Sequence, residues 1–298
     1  MPLLLMMATG VLLNRTKLVS KDVFLAINRI VYYVGLPCLI LHNLLNERGA
    51  GADWQVALLT VGGIVVLFVA SWLLLPRVVS DNKRRGAITQ AALRSNDSIF
   101  SLTVAASMVG AEHIGLTVFV AALSATAFNL MAIITLELNR GGKVRPLSFL
   151  AHIATNPIIL SVAAGYLLRA LNVTLPVVLQ KPIDSFAGMV APLGFLMLGG
   201  ILSFRAVQKN RKALLCIVLT KLVLVPLLMT GLAVLLGFRG LRLLTVLLIF
   251  AAPTAMASYP LAAALESDAE LAGEAVAVTT ACSLPTVFLF LTAFGGLL

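Results

Sequence analysis

Three ionisable side chains stand where the sequence is otherwise built for hydrocarbon: Arg94 and Asp97 in "RSNDSIFSLT" (Arg94 to Thr103), and Lys221 in "TKLVLVP". A charge at the centre of a bilayer costs about 2.5–3.5 kcal/mol on insertion scales, so each should face the protein interior and find a partner. Arg94 and Asp97 are three residues apart and share a helical face. Two chemistries are open to them. They can neutralise each other, or Asp97 can bind a coupling cation or proton while Arg94 attracts a substrate carboxylate. Lys221 lies deep in its span for snorkelling, so pairing with Asp97 is expected, with a substrate carboxylate as the other option. Asn96 and Ser98 complete the polar run as hydrogen-bonding groups.

A second segment, "AAPTAMASYP" (Ala251 to Pro260), carries Pro253 and Pro260 seven residues apart. Neither can donate a backbone hydrogen bond, and each clashes with the preceding turn, so a continuous helix is not expected there. The two readings are a kink held by neighbouring helices and a true interruption. An interruption frees amides and carbonyls, which are tolerated at depth only inside protein or beside a water-filled cavity. Half-helix N-termini suit an anion, and Thr254, Ser258 and Tyr259 add hydroxyls.

Other chemistries find no support. His42, His113 and His152 have no metal-ligand spacing, and "GGKV" at Gly141 lacks the rest of a phosphate-binding loop. No nucleophile-and-base motif occurs, so an enzyme is disfavoured. Cys38, Cys216 and Cys282 are isolated and are expected to be small buried hydrophobes. The acidic turn of Glu266, Asp268, Glu270 and Glu274 is expected to be a solvated face. No cofactor is implied beyond a coupling proton or sodium ion.

The elements that must position these residues are membrane helices. The chain is 60% hydrophobic and 11% charged, with a mean hydropathy of +1.03, well outside the composition of soluble domains. Charged and Gly/Pro-rich breaks divide it into about ten spans, near 2–13, 21–45, 54–76, 86–109, 112–138, 147–170, 180–204, 211–237, 241–265 and 269–296. The opening "MPLLLMMATGVLLNR" has no basic residue ahead of its apolar run, unlike a cleaved leader. It is read as a thin or tilted first span, or as a start displaced from the true one.

The net charge of +10 reflects loop asymmetry rather than nucleic-acid binding. One side collects Arg15, Lys17, Lys21, Arg77, Lys83, Arg84, Arg85, Arg140, Lys143, Arg145, Arg205, Lys209, Arg211 and Lys212. The other has only Arg48, Arg169, Lys181, Arg239 and Arg242. The first side is expected to face the cytoplasm, with both termini outside.

The halves also echo each other. Gly10 of "GVLLNR" and Gly165 of "GYLLRA" are 155 apart, as are Pro37 and Pro192. Arg85-Gly86 and Arg239-Gly240 follow at 154, and Ala111-Glu112 and Ala269-Glu270 at 158. Five spans per half is odd, so the second half would insert upside down, as in many secondary transporters. The expected units are 1–139 and 140–298. The polar segments of spans four and nine then occupy equivalent positions, where such proteins place a midplane site.

"GLPCLIL", "NPIILSVAAGYLL", "APLGFLMLGGIL", "KLVLVP" and "APTAMASYPLA" resemble the auxin efflux carrier family in its shorter bacterial form, over nearly the whole chain. The resemblance implies an all-α membrane fold of ten helices in two inverted repeats. Spans one, two, six and seven would form a scaffold and dimer interface. The rest would form a transport domain, with broken helices four and nine crossing at the site. It further implies movement of small organic anions by an elevator-like motion.

Asn96 matches the asparagine of the family's fourth-helix motif, but Ser98, Ser101 and Thr103 stand where that motif has two glycines and a proline. In span nine Pro253, Thr254, Ser258 and Tyr259 match, while Ala257 replaces a frequent asparagine. A less open crossover is therefore expected. The functional expectation is a homodimeric secondary transporter of small organic carboxylates in a bacterial inner membrane. The alternative is a transporter-fold sensor or scaffold that binds without transporting. Site residues are expected to be Arg94, Asn96, Asp97, Ser98, Pro253, Thr254, Ser258 and Tyr259, with Asp97 and Lys221 coupling or charge-pairing.

Overall fold

The computed structural model describes residues 2–46, 52–110, 113–140, 151 and 154–298. Arg48, Lys143, Arg145, His152, Gly141 and the Ala111-Glu112 match lie outside the described residues. Among the described residues the chain is all helical. The helices are α1 (Pro2–Arg15), α2 (Lys21–Ile30), α3 (Leu36–Asn46), α4 (Trp54–Leu74), α5 (Asn82–Leu93), α6 (Leu102–Val109), α7 (Gly115–Leu138) and α8 (Pro157–Ala170). They continue with α9 (Val177–Ile201), α10 (Phe204–Lys209), α11 (Arg211–Leu219), α12 (Val225–Leu235), α13 (Leu241–Ala251), α14 (Ser258–Ala264) and α15 (Ala269–Ala293).

Among the described residues, six helical stretches are long and apolar enough to cross a membrane: Lys21–Asn46, Trp54–Arg77, Gly115–Leu138, Val177–Ile201, Arg211–Leu235 and Ala269–Ala293. Shorter apolar helices cover Leu3–Arg15, Asp97–Val109, Pro157–Ala170 and Leu241–Ala251. Large apolar side chains such as Leu58, Leu73, Leu235 and Phe288 are exposed. In water they would form an aggregating surface; in a bilayer they face lipid. This is a polytopic membrane protein.

Local chemistry sets the helix ends. Asp53 caps α4 by accepting from the amides of Gln55 and Val56 at 3.1 and 3.3 Å. Asp81, Asn156 and Asp268 do the same for α5, α8 and α15. Of three π turns among the described residues, two, at Val31–Gly35 and Thr220–Leu224, lie within otherwise continuous spans. Each ends two residues before a proline, Pro37 or Pro226. The ring clashes with the carbonyl four residues back, and a widened turn absorbs the misfit.

The helices pack as two groups. In the first, α1 lies along α9, and α2, α3 and α8 pack around them. In the second, α4, α7, α12 and α13 share a core with Ile64, Phe68, Phe128 and Phe250 at its centre, and α5, α6, α11, α14 and α15 complete it. The α1–α9 contact depends on glycine. A Cβ at Gly10 would lie 1.9 Å from the Leu196 carbonyl oxygen, and one at Gly199 would lie 1.9 Å from that of Met7. Without a hydrophobic drive between helices in lipid, such close backbone approach is what holds them.

Two expectations are corrected. The acidic turn is not a solvated face throughout, because Glu274 is buried and accepts from Asn210 Nδ2 at 2.9 Å. Arg84 donates to the same Asn210 at 2.9 Å, so the carboxylate belongs to a cross-link between α5, α11 and α15. Nor are the cysteines buried: Cys216 is exposed, and Cys38 and Cys282 are half-buried. On membrane helices the apolar exterior suits them as well as a core does.

Gly199→Ala is expected to lower the melting temperature in detergent, by the equivalent of about 1–3 kcal/mol for overpacking. Gly62→Ala, whose Cβ meets nothing within 4 Å, is expected to leave it unchanged or to raise it through helix propensity. Equal melting temperatures for the two variants would contradict the α1–α9 contact.

Candidate functional site

Both polar segments interrupt their helices. After α5, Arg94 is extended (φ −72°, ψ 127°), and a π turn at Asp97–Ser101 leads into α6. After α13 the chain runs without helix through Ala252–Ala257 into α14. The two openings cross as a short antiparallel pair. Ser95 bridges Thr254, the Asn96 amide donates to the Pro253 carbonyl at 2.9 Å, and the Ala255 amide donates to the Arg94 carbonyl at 3.3 Å. Each interruption thus satisfies backbone groups that the other leaves free.

The break after α5 is sharp, although Ser101 and Thr103 in place of the family's glycine and proline led to the expectation of a less open crossover. No glycine or proline is needed when the partner segment supplies the hydrogen bonds. Ser101, 0% exposed, instead donates its hydroxyl to the Leu248 carbonyl at 2.8 Å, fastening the crossover to α13. In span nine the true interruption is found, rather than a proline kink.

The three charges occupy separate places around this pair. Asp97 accepts from the Ser98 amide at 2.8 Å through one oxygen and from the Ser124 hydroxyl at 2.7 Å through the other. Arg94 donates through Nη2 to Asn129 Oδ1. No ion pair within 4 Å joins Asp97 to either Arg94 or Lys221: the direct Lys221–Asp97 pair expected from the sequence is not formed, and of the two readings of Arg94 and Asp97 the self-neutralising one is not made as a direct contact. Lys221 is fully buried and donates to Ser95 Oγ and, at 3.0 Å, to the Phe250 carbonyl. That carbonyl belongs to the last turn of α13, where unpaired carbonyls favour a cation. Lys221 therefore clips one broken helix to the other instead of neutralising Asp97.

A cavity of about 70 Å³ lies against the crossover. Its walls are Leu36, Ile40 and Asn43 of α3, the run Arg94–Ser98, Phe128 and Asn129 of α7, and Ala255–Ala257. Two buried nitrogens at this cavity have no hydrogen-bond partner: Arg94 Nη1 and Asn96 Nδ2. Both are donors, one of them cationic, so the arrangement suits an anion able to accept two hydrogen bonds.

The structure brings Arg94, Asn96, Asp97 and Ser98 together at this cavity. It places the span-nine residues differently. Pro253 and Thr254 sit in the crossover outside the cavity wall; the Thr254 hydroxyl donates to the Ala91 carbonyl at 2.6 Å and its amide donates to Thr279 Oγ1 at 3.1 Å. Ser258 lies against α5, its carbonyl accepting from Gln90 Nε2 at 3.2 Å. Tyr259 lines another cavity, with Lys21, Glu270 and Glu274. Span nine contributes Ala255, Met256 and Ala257 instead. Asn43, Ser124 and Asn129 escaped the sequence reading. Ser124 and Asn129 are scattered polar residues in an apolar run and Asn43 sits near the end of span two beside His42, so only the fold shows that they meet the crossover.

Lys221→Met keeps the length of the side chain but leaves Ser95 and the Phe250 carbonyl without their donor. It should cost about 1–3 kcal/mol for buried unsatisfied groups, read as a lowered melting temperature. Asn210→Ala, at the α5–α15 cross-link, should also destabilise but should leave anion binding intact. A Lys221→Met protein of wild-type stability would contradict the clip.

No curated protein matches the chain. The family described as "Membrane transport protein" matches residues 1–291, a span that contains both broken helices, Lys221 and the cavity between them. The chain is therefore a member of the membrane transport protein family whose domain is that of the auxin efflux carriers.

Proposed function

We propose that this membrane transport protein is a secondary transporter of small organic anions, carboxylates in particular. The observation that carries the reading is the pair of buried, uncommitted donors, Arg94 Nη1 and Asn96 Nδ2, at a cavity beside two crossed broken helices. A guanidinium edge and a carboxamide N–H can bind the two oxygens of one carboxylate. Asp97 lies beside them with both oxygens already engaged. It shapes the π turn and is the first candidate for a coupling proton or sodium ion.

In this proposal the chain has ten spans in two inverted repeats, 1–139 and 140–298. Spans one and six are the short helices α1 and α8, while spans four and nine are the broken ones. These pairs hold equivalent positions in the two halves. The α1, α2–α3, α8 and α9 group is the scaffold and the homodimer surface. The other group slides past it as an elevator and carries the crossover. The cavity lies on the seam, with α3 on one side and Arg94–Ser98 on the other, as alternating access at such a seam requires. The setting is a bacterial inner membrane with both termini outside the cytoplasm.

Counterflow of labelled dicarboxylates in proteoliposomes tests the reading. Exchange of at least one anion is expected; binding without exchange of any would make the protein a transporter-fold sensor. Arg94→Lys keeps the charge and loses the fork, so KM should rise by about tenfold or more, the value of a charge-assisted hydrogen bond. Asp97→Asn should abolish any pH or sodium dependence of uptake. Unchanged dependence would remove Asp97 from coupling.

A further inference from the structure

Asn43 stands out among the residues around the cavity. It lies in span two, between the apolar wall residues Leu39 and Ile40 and the buried Leu44. It is half-buried, and its carboxamide makes no hydrogen bond among the described residues. It faces the same cavity as Arg94 and Asn96, but from the opposite group of helices. A half-buried amide at a cavity wall with no protein partner among the described residues is free to bond whatever enters the cavity.

Three cavities follow one another along α3, and Asn43 lines two of them. The inner one, at the crossover, has Asn43 and Ser98 in its wall. The next, of about 180 Å³, is walled by His42, Asn43, Asn46 and Ser98, with Leu102 and the α7 residues Val118, Ala121 and Ala122 opposite. It therefore shares Asn43 and Ser98 with the inner cavity. The outermost, of about 280 Å³, is walled by His42, Asn46, Gln180 and Asp184 with the Val173–Leu175 turn. It shares His42 and Asn46 with the middle one. Along α3, His42 and Asn46 are four residues apart, and Asn43 and Asn46 three, so one helical face supplies polar groups through the whole series. A route lined this way holds water rather than lipid tails.

The outer end has a fixed structure. His42 Nδ1 lies 2.7 Å from Asp184 Oδ1, tying α3 to α9, and 3.1 Å from Asn46 Nδ2. This is the end of α3 away from Lys21, so by the loop charges it is the outer side of the membrane.

We propose that Asn43 is a substrate-contacting residue supplied by the scaffold, and that the polar file His42, Asn46, Asn43 and Ser98 is the route by which a small organic anion reaches Arg94 and Asn96 from outside. This rests on the transport reading above and adds to it the side to which the site is open. With Asn43 in the binding set, the anion touches both helix groups at once. Its carboxamide is then a point where the chain distinguishes one carboxylate from another, because it belongs to the part that stays still while the crossover moves.

The test uses full-length protein with Cys38, Cys216 and Cys282 replaced by serine, carrying Asn43→Cys. Lys83→Cys, before α5 at the opposite end, is the control. A membrane-impermeant thiol reagent should label Asn43→Cys from the His42 end only and Lys83→Cys from the other end only. Malate, or the dicarboxylate that the wild-type protein exchanges best, should slow labelling of Asn43→Cys. In the native-cysteine background, Asn43→Asp should raise the KM for exchange by about tenfold, through like-charge repulsion at a desolvated contact, with the maximal rate kept. Asn43→Leu should raise it too, which separates a lost contact from an added charge.

Labelling of Asn43→Cys from the Lys83 end, or its absence from the His42 end, would overturn the route. An unchanged KM in both Asn43→Asp and Asn43→Leu would overturn the contact. Failure of the wild-type protein to exchange any anion, with labelling still entering from the His42 end, would sink the transport reading and leave the route standing.

Discussion

In hydrocarbon a backbone amide or carbonyl without a partner costs several kcal/mol, and two helices of this protein are nevertheless opened in their middles. The opening is sustainable because the two interruptions face each other. Asn96 donates to Pro253, Ala255 donates to Arg94, and Thr254 reaches back to the Ala91 carbonyl at the end of α5. Neither segment could hold its shape alone. Everything else near the cavity follows from the need to keep that pair in register: Lys221 bonded to Ser95 and Phe250, Ser101 bonded to Leu248, and Thr279 bonded to the Thr254 amide.

The charges follow the same logic. Bringing Arg94, Asp97 and Lys221 into one bundle looks at first like a way to cancel them, and direct pairs would do so cheaply. The structure instead gives each charge neutral partners: Asn129 for Arg94, Ser124 and the Ser98 amide for Asp97, and Ser95 with a helix-end carbonyl for Lys221. The charges are held near one another without being spent on one another. For Arg94 the result is a guanidinium with one nitrogen engaged and one uncommitted. An ion pair with Asp97 would have used the group that an anionic substrate needs.

The sequence made much of this legible, for a physical reason. Polar and proline residues in hydrocarbon are costly enough to be conspicuous, so "RSNDSIFSLT" and "AAPTAMASYP" marked the two interruptions without any structure. It could not show which side of the second segment faces the cavity. Thr254, Ser258 and Tyr259 have the chemistry of ligands, yet Thr254 spends its hydroxyl on α5, Ser258 is held against α5 through its carbonyl, and Ala255, Met256 and Ala257 form the wall. In a non-helical stretch no periodicity tells inside from outside. Ser124 and Asn129 were hidden for the opposite reason, since an amide or hydroxyl in a long apolar helix is an ordinary occurrence; Asn43, near the end of its span beside His42, reads as a helix-end polar residue, and only tertiary contact gives it meaning. Ser101 and Thr103 misled because a break was assigned to the residues that usually cause one, whereas here the partner strand of backbone sustains it.

The central claim is that a carboxylate is held at the crossover by the uncommitted edge of Arg94 and by Asn96. The most direct measurement is a cryo-electron microscopy structure of the reconstituted protein with a dicarboxylate that it exchanges. The account predicts carboxylate density within hydrogen-bonding distance of Arg94 Nη1 and Asn96 Nδ2, with Lys221 still on Ser95 and Phe250. A helix running unbroken from Asn82 to Val109, or a bound anion resting away from Arg94 and Asn96, would contradict it.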